Sequence, residues 1–199
     1  MPGRFYLTTP LSRIAEQFGV ELQVDDPGPR MDAAPGEEVA ILVPGALAAA
    51  RWGMVMSGRV NARGRPVMET IVNSRSETVF SKTAFAGVRR AALPVNGWYE
   101  WTGTRGRKTR WDISAPDREV LVFAAIYDVW KGPGGIEVGQ MATVTCPPNA
   151  DVRDIHHRMP VILAPDALHM WLEGDEATSS ALMVPAEDGV LSIRKSDLK

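Results

Sequence analysis

Three clusters of residues have the types and spacing to do chemistry. The first is Trp98-Tyr99-Glu100-Trp101, a carboxylate set among three aromatic side chains on a β-type segment. Burial there raises a carboxylate's pKa and suits it to proton transfer, while strand alternation equally allows an outward acid between inward aromatics. The second is Asp154-Ile155-His156-His157-Arg158-Met159-Pro160. His156 can serve there as acid or base while Arg158 fixes an anion, but a surface or capping histidine satisfies the same residue types. The third is Asn73-Ser74-Arg75-Ser76-Glu77-Thr78. Either Asn73 and Arg75 contact a ligand, or Asn73 or Ser74 caps a helix and Glu77 closes a capping box from Ser74. Cys146, after a β run and before two prolines, reads as an inert core thiol rather than a nucleophile.

Charge is distributed unevenly around these clusters. The chain carries 22 Lys or Arg and 24 Asp or Glu, a net charge of −2. From Arg51 to Arg110, however, 12 basic residues face three acids (Glu69, Glu77, Glu100), a local balance of +9 against 10 basic and 21 acidic residues elsewhere. Basic charge gathered into one stretch is what phosphate binding requires, since affinity follows local counterion release; from charge alone, a set of solvated loops and a helix face is the more ordinary reading. One cysteine excludes an internal disulfide, and with three histidines it leaves zinc sites of the CxxC or HExxH kind without ligands. No metal or cofactor is expected. No apolar run reaches the length of a membrane span. The start MPGRFYLTTP lacks a basic-then-apolar signal pattern, which gives a cytoplasmic reading.

The elements that must position these residues are mostly short strands. Thr9-Pro10 predicts an N-cap and first helical residue, with Leu11, Ile14, Ala15 and Phe18 on one face and Gly19 as terminator. That helix would hold the amino terminus in place. Residues 25–38 read as a loop, Val39–Val43 and Trp52–Met56 as strands, and Gly58–Pro66 as a basic surface loop. A helix is predicted from about Ser76 to Arg89, then a strand from Ala91 to Trp101. Further strands are expected at Arg110–Ser114, Val120–Asp128, Gln140–Cys146 and Pro160–Leu163. A last helix starts at Pro165, with Leu168, Met170, Trp171 and Leu172 as apolar cover. The fold class is α+β: one domain over 1–199, with largely antiparallel, barrel-like sheets flanked by a few helices.

Taken together, these segments resemble the SOS-response-associated peptidase (SRAP) family. MPGRFYLTTP is similar to the family's opening Met-Cys-Gly-Arg-Phe, Ala34-Pro35 to its Asn-x-Ala-Pro segment, and Arg51-Trp52-Gly53-Met54 to its Trp-Gly strand. Asn73 to Thr78 resembles Asn-Ala-Arg-x-Glu-Thr. Pro94 to Trp101 and Asp154 to Pro160 resemble the remaining two signatures. The six blocks run in family order to about residue 172.

The resemblance implies a monomer that senses abasic sites in single-stranded or junction DNA. In the family, removal of Met1 frees the amine of a cysteine at position 2, which forms a Schiff base with the sugar aldehyde; its thiol then closes a thiazolidine. By motif match, Asn73 would position the N-terminal residue or the sugar, Glu100 would assist proton transfer and His156 would serve ring opening or reversal. Arg4, Arg75 and Arg158 would hold phosphates, and Trp52 would stack on a base. Position 2, however, is Pro2. No sulfur is available there, so a thiazolidine cannot form, while a secondary amine can still give a transient iminium or a lyase-like reaction. The alternatives are a non-catalytic DNA-binding module that has lost the nucleophile, and a peptidase, for which the sequence has no Ser-His-Asp order or Cys-His pair. Asp32 replaces the family's usual asparagine, and His157 a common aspartate.

Overall fold

Apolar runs such as Leu121 to Ile126 and Met141 to Cys146 lack a polar helical face and are buried almost throughout, as strands covered on both sides must be. In the computed structural model, which describes residues 2–56, 62–64 and 69–196 (for Pro133 the backbone alone), the strands build two large sheets and a two-stranded one. The strands are β1 Arg4–Leu7, β2 Glu21–Leu22, β3 Arg30–Ala33, β4 Glu38–Val43, β5 Ala46–Trp52, β6 Met54–Val55, β7 Thr70–Ile71 and β8 Asn73–Arg75. They continue as β9 Arg89–Val95, β10 Gly97–Thr104, β11 Arg107–Ser114, β12 Leu121–Lys131, β13 Glu137–Cys146, β14 Met159–Pro160, β15 Ile162–Leu163 and β16 Ser192–Lys195. The α-helices are α1 Leu11–Phe18, α2 Leu168–Glu173 and α3 Glu176–Ala181. Strands dominate and most pairings are antiparallel, so the α+β, barrel-like expectation matches the architecture. Among the described residues no helix is long and apolar enough to cross a membrane.

The larger sheet closes on itself. Its order β13-β12-β9-β4-β5 returns to β13 through a parallel pairing, Gln140 with Arg51 and Met141 with Trp52. A closed five-stranded barrel leaves no free edge along those strands. At Gly53 the chain leaves this edge with φ 127°, a conformation that glycine adopts without a Cβ penalty. It returns as β8, which runs parallel along the next stretch of the same β13 edge, Thr143 opposite Asn73 and Thr145 opposite Arg75. The indole of Trp52 spans the junction, its Nε1 donating to the Val72 carbonyl at 3.1 Å.

The second sheet has the order β16-β11-β10-β1-β3 and places the start of the chain in its interior. β1 is flanked by β10 (Arg4 opposite Tyr99, Phe5 opposite Trp98) and by β3. The amino terminus is thus held by two strands as well as by α1. In α1, Leu11, Ile14 and Ala15 are buried and Gly19 ends the helix at φ 62°, as the spacing predicts. The N-cap is Pro10 rather than Thr9. Proline has no side-chain acceptor, and the carboxylate of Asp26 instead takes the Leu11 amide proton at 2.8 Å.

Several predicted elements take another form. The helix expected over 76–89 is a series of turns with a short 3₁₀ segment, Thr83–Phe85. Packing overrides its weak helix propensity: Val79 and Phe85 are buried, Phe80 lies 6.3 Å from Trp171, and Glu77 turns toward Arg158. Residues 91–101 form two strands in different sheets, β9 and β10. Asn96 fixes the corner between them, its Oδ1 accepting the amides of Thr8 and Thr9 and its Nδ2 donating to Thr9 Oγ1 at 2.8 Å. β3 lies within the expected 25–38 loop, and Met170 is 42% exposed rather than core cover. α3 and β16 were not expected. The basic loop at Gly58–Pro66 falls largely outside the described residues.

Gly97, just past that corner, has no room for a side chain. A Cβ there would stand 2.4 Å from Tyr6 Oη and 2.6 Å from the Ile113 carbonyl oxygen, which is backbone and cannot swing away. Gly97→Ala should therefore destabilise the fold by about 1–3 kcal/mol in chemical denaturation, as overpacking does; a loss under about 0.5 kcal/mol would mean that the β1–β10–β11 contact is looser than described.

Candidate active site

The site assembles where β8, β10 and the turn after β13 meet the start of the chain. Strand alternation on β8 sends Ser74 inward, where it is buried, and Asn73 and Arg75 the other way. Asn73 is bonded at both ends. Its Nδ2 donates to the carbonyl of Pro2 at 3.0 Å, and its Oδ1 accepts from the hydroxyl of Thr143, its partner across the ladder. The amide is thereby oriented, and the second residue of the chain is held, buried, against the edge of the barrel. Arg75 is exposed two residues on.

Glu100 is 4% exposed on β10, which settles the alternation question in favour of an inward acid. Burial pushes its carboxyl above the usual range, and the positive charge of the chain's amino terminus acts against that rise. Glu100 follows Tyr99, the partner of Arg4 at the end of the β1–β10 ladder, and the amino terminus acts on its carboxyl, so the acid lies by the first residues of the chain.

His156 is half-buried in the turn leading to β14. Burial lowers its pKa to about 4, helped by the positive amino terminus and by His157, whose ring stacks on it at 4.3 Å. At neutral pH it is an uncharged imidazole. Its Nδ1 lies 3.0 Å from the Arg158 amide nitrogen and 3.2 Å from the Arg158 carbonyl. Because the amide always carries its hydrogen, the hydrogen-bond pattern assigns Nδ1 as acceptor and the ring proton to Nε2. His156 thus offers an N–H donor, and the carboxyl of Glu100 is held protonated to a higher pH than an exposed acid.

Two residues expected on a DNA surface lie inside the protein. Trp52 is fully buried, packed at 5.2 Å against Phe5, so it has no face for a base. Arg158 is 8% exposed and its guanidinium is committed to the carboxylate of Glu77 and the carbonyl of Thr145. A phosphate could reach it only by displacing the half-exposed carboxylate of Glu77. Arg4 is half-exposed and bridges to Asp32 at 2.9 Å, so the acid at that position partly neutralises it. Arg90, within the basic stretch, is spent on the carbonyls of Trp171 and Gly174. Cys146 is fully buried, with its thiol pushed up to about 12 by burial. A cavity of about 590 Å³ lined by Phe5, Leu7, Leu11, Val24 and Val39 contains none of the site residues.

Comparison with known proteins places this arrangement. Residues 1–196 match the family described as SOS response associated peptidase (SRAP). The chain belongs to that family. Among curated relatives, the abasic site processing protein YoaM of Bacillus subtilis is 30% identical over 182 residues, which span 86% of this chain and 79% of the relative. The abasic site processing protein HMCES of Gallus gallus is 29% identical over 171 residues, 74% of this chain but 49% of the longer relative. Solved structures from Bacteroides thetaiotaomicron (TM-score 0.85, 20% identity, 96% of this chain and 90% of that one) and Bordetella bronchiseptica (TM-score 0.82, 21% identity, 98% and 100%) share the fold.

Glu77 has a part in this SRAP site that its sequence neighbourhood hides. It sits 81 positions from Arg158, and the only local signal was a capping box that does not form. The pair ties the segment after Asn73 to the turn bearing His156. The Arg158 hydrogen bonds hold the Glu77 carboxyl down at about 2, against an ordinary 4.5. A depressed carboxylate pKa contributes stability that is complete above the ordinary value and disappears as pH falls from there toward the folded value. Acid unfolding should accordingly show a loss between pH 4.5 and about 2 that is much shallower in Glu77→Gln, and Glu77→Ala should cost about 1 kcal/mol at pH 7, since solvent screens the half-exposed carboxylate and Arg158 keeps its bond to the Thr145 carbonyl. Superimposable acid limbs for the two proteins would remove the pair from the account.

Proposed function

We propose that this SRAP protein processes abasic sites in DNA through the nitrogen of Pro2, after removal of Met1, by transient Schiff-base chemistry. The observation that carries the reading is the hydrogen bond from Asn73 to the Pro2 carbonyl, which holds this residue beside a buried acid of raised pKa. The relatives named as abasic site processing proteins support the substrate class.

The secondary amine of Pro2 attacks the C1′ aldehyde of the ring-opened sugar, giving a carbinolamine. Protonated Glu100 delivers a proton to the departing hydroxyl, and loss of water leaves an iminium. The ionised Glu100 can then accept the C2′ proton, whose electrons expel the 3′ phosphate, or water can add back and release the sugar. His156, as a neutral Nε2–H donor, binds the sugar oxygen freed by ring opening. Exposed Arg75 meets a flanking phosphate.

Borohydride reduction should trap a protein–DNA adduct on abasic single-stranded DNA, with intact mass spectrometry showing a protein one methionine lighter. Absence of the adduct with demethionylated protein that still binds the DNA would replace this mechanism with non-covalent recognition. Glu100→Gln should slow trapping about 100-fold while changing binding less than about threefold. The rate of strand cleavage by the wild-type protein should fall on acidification from a pH above the ordinary carboxylate range, because the base form of Glu100 that takes the C2′ proton is lost there first. Equal losses of rate and binding in Glu100→Gln would make Glu100 a structural residue.

A further inference from the structure

The core face of the smaller sheet does not end where the core does. Along β10 and β11 that face carries Trp98 and Ile113, both fully buried and directly opposite one another. Two residues further out it carries Glu100 opposite Trp111, then Thr102 opposite Thr109, then Thr104 opposite Arg107. The lining changes in that order from apolar to carboxylate and indole, to hydroxyls, to a cation at the exposed end of the hairpin.

The row through Glu100 extends sideways as well. Trp111 is paired on its other side with Lys195 of β16, so Glu100, Trp111 and Lys195 stand on three successive strands with their side chains on one face. Neighbouring strands are about 4.8 Å apart, which places the indole next to the acid and the ammonium one step beyond. Trp111 is half-buried, leaving part of its ring open, and its Nε1 donates to Thr102 Oγ1 at 2.8 Å, which holds the ring plane. Lys195 and Arg107 are exposed. The other nearby indoles are otherwise engaged: Trp98 is in the core, and Trp101 lies on the opposite face against Tyr99 at 6.4 Å.

We propose that Trp111 and Lys195 form a nucleotide subsite beside Glu100. An unpaired base adjoining the lesion stacks on the indole, and the next phosphate meets Lys195, with Arg107 further along the track. An aromatic face followed by a cation at the spacing of adjacent strands is the chemistry that binds single-stranded nucleic acid without reading its sequence. A paired base is covered by its neighbours and cannot lie on that surface, so the subsite selects unpaired DNA on this flank. The inference rests on the abasic-DNA reading above and specifies where the strand runs.

The test measures anisotropy of a labelled single-stranded oligonucleotide containing a tetrahydrofuran abasic analogue, which binds without reacting. Trp111→Ala should weaken binding about tenfold and Trp111→Phe less than about threefold, because phenylalanine keeps a stacking face. Lys195→Gln, a surface change that leaves the core intact, should reduce the salt dependence of log K by about 0.7 for one lost contact to single-stranded DNA. Wild-type affinity in folded Trp111→Ala, or an unchanged salt slope in Lys195→Gln, overturns the subsite while the functional reading stands. Should Trp111→Ala not fold, the Lys195→Gln slope decides alone. Failure of the wild-type protein to bind the oligonucleotide overturns the functional reading and the subsite together.

Discussion

One edge of β13 is used twice, and most of the molecule follows from that. Over Gln140 and Met141 it accepts β5 and closes the barrel; over Thr143 to Thr145 it accepts β8. The excursion between the two departs at Gly53 and returns at Val72, and both ends are bonded to β13: the Gly53 amide to Met141 at 2.8 Å, and the Thr143 amide to Val72 at 3.1 Å. Trp52, buried over the junction, ties one segment to the other. A polar strand, Asn-Ser-Arg, with little β propensity of its own is thereby fixed in register beside a buried ladder. The position of Asn73, and through it the hold on Pro2, is a consequence of barrel closure.

The same geometry explains what the amino-acid sequence disclosed and what it withheld. Strands with continuous apolar runs, the α1 face and its Gly19 terminator are local patterns, and each matches the fold closely. Residues 76–89 misled because Val79, Phe80 and Val88 have a helix-like spacing, whereas their burial is dictated by Trp171 and the barrel wall, far away in sequence. The corner at Asn96 depends on Thr8, Thr9 and Glu119, and no window around residue 96 contains them. Burial of Glu100 was undecided from alternation alone, because aromatics flank it on both faces of the strand. The motif match puts Arg158 on phosphates and Trp52 on a base; an arginine buried against a carboxylate and a tryptophan bonded to a carbonyl have the same letters as exposed ones. Trp111, by contrast, gives no local signal, and only the register of β10, β11 and β16 puts it next to Glu100.

Electrostatics divides the labour among the site residues. The basic stretch noted in the sequence is not a uniform surface: Arg90 is bonded to carbonyls, while Arg89 and Arg110 lie over the rings of Tyr127 and Tyr99 at 4.4 Å. Arg158, outside that stretch, is neutralised by Glu77. Among the described residues, Arg75, Arg107 and Lys195 are exposed cations on strands whose register is fixed. Close to Pro2, the imidazole of His156 is uncharged at neutral pH. A cationic histidine there would oppose any further positive charge on the amino-terminal nitrogen.

That absence of competing charge matters for a secondary amine in particular. A primary amine condensed with an aldehyde can lose its last N–H proton and rest as a neutral imine. Proline has no such proton to lose, so in the proposed reaction the adduct stays cationic until water adds or the C2′ proton leaves. Its lifetime is then governed by what stabilises a fixed positive charge and by what can move a proton at the two adjoining positions. Glu100 supplies both from one place: ionised, it is a buried counter-charge and a base for C2′; protonated, it is the acid for the departing hydroxyl. A carboxyl with an ordinary pKa would be ionised almost throughout near neutral pH and would serve only the first of these roles, whereas burial brings the two forms closer to coexistence. The desolvation that makes Glu100 costly to the fold is the property that fits it to a nucleophile without a spare proton.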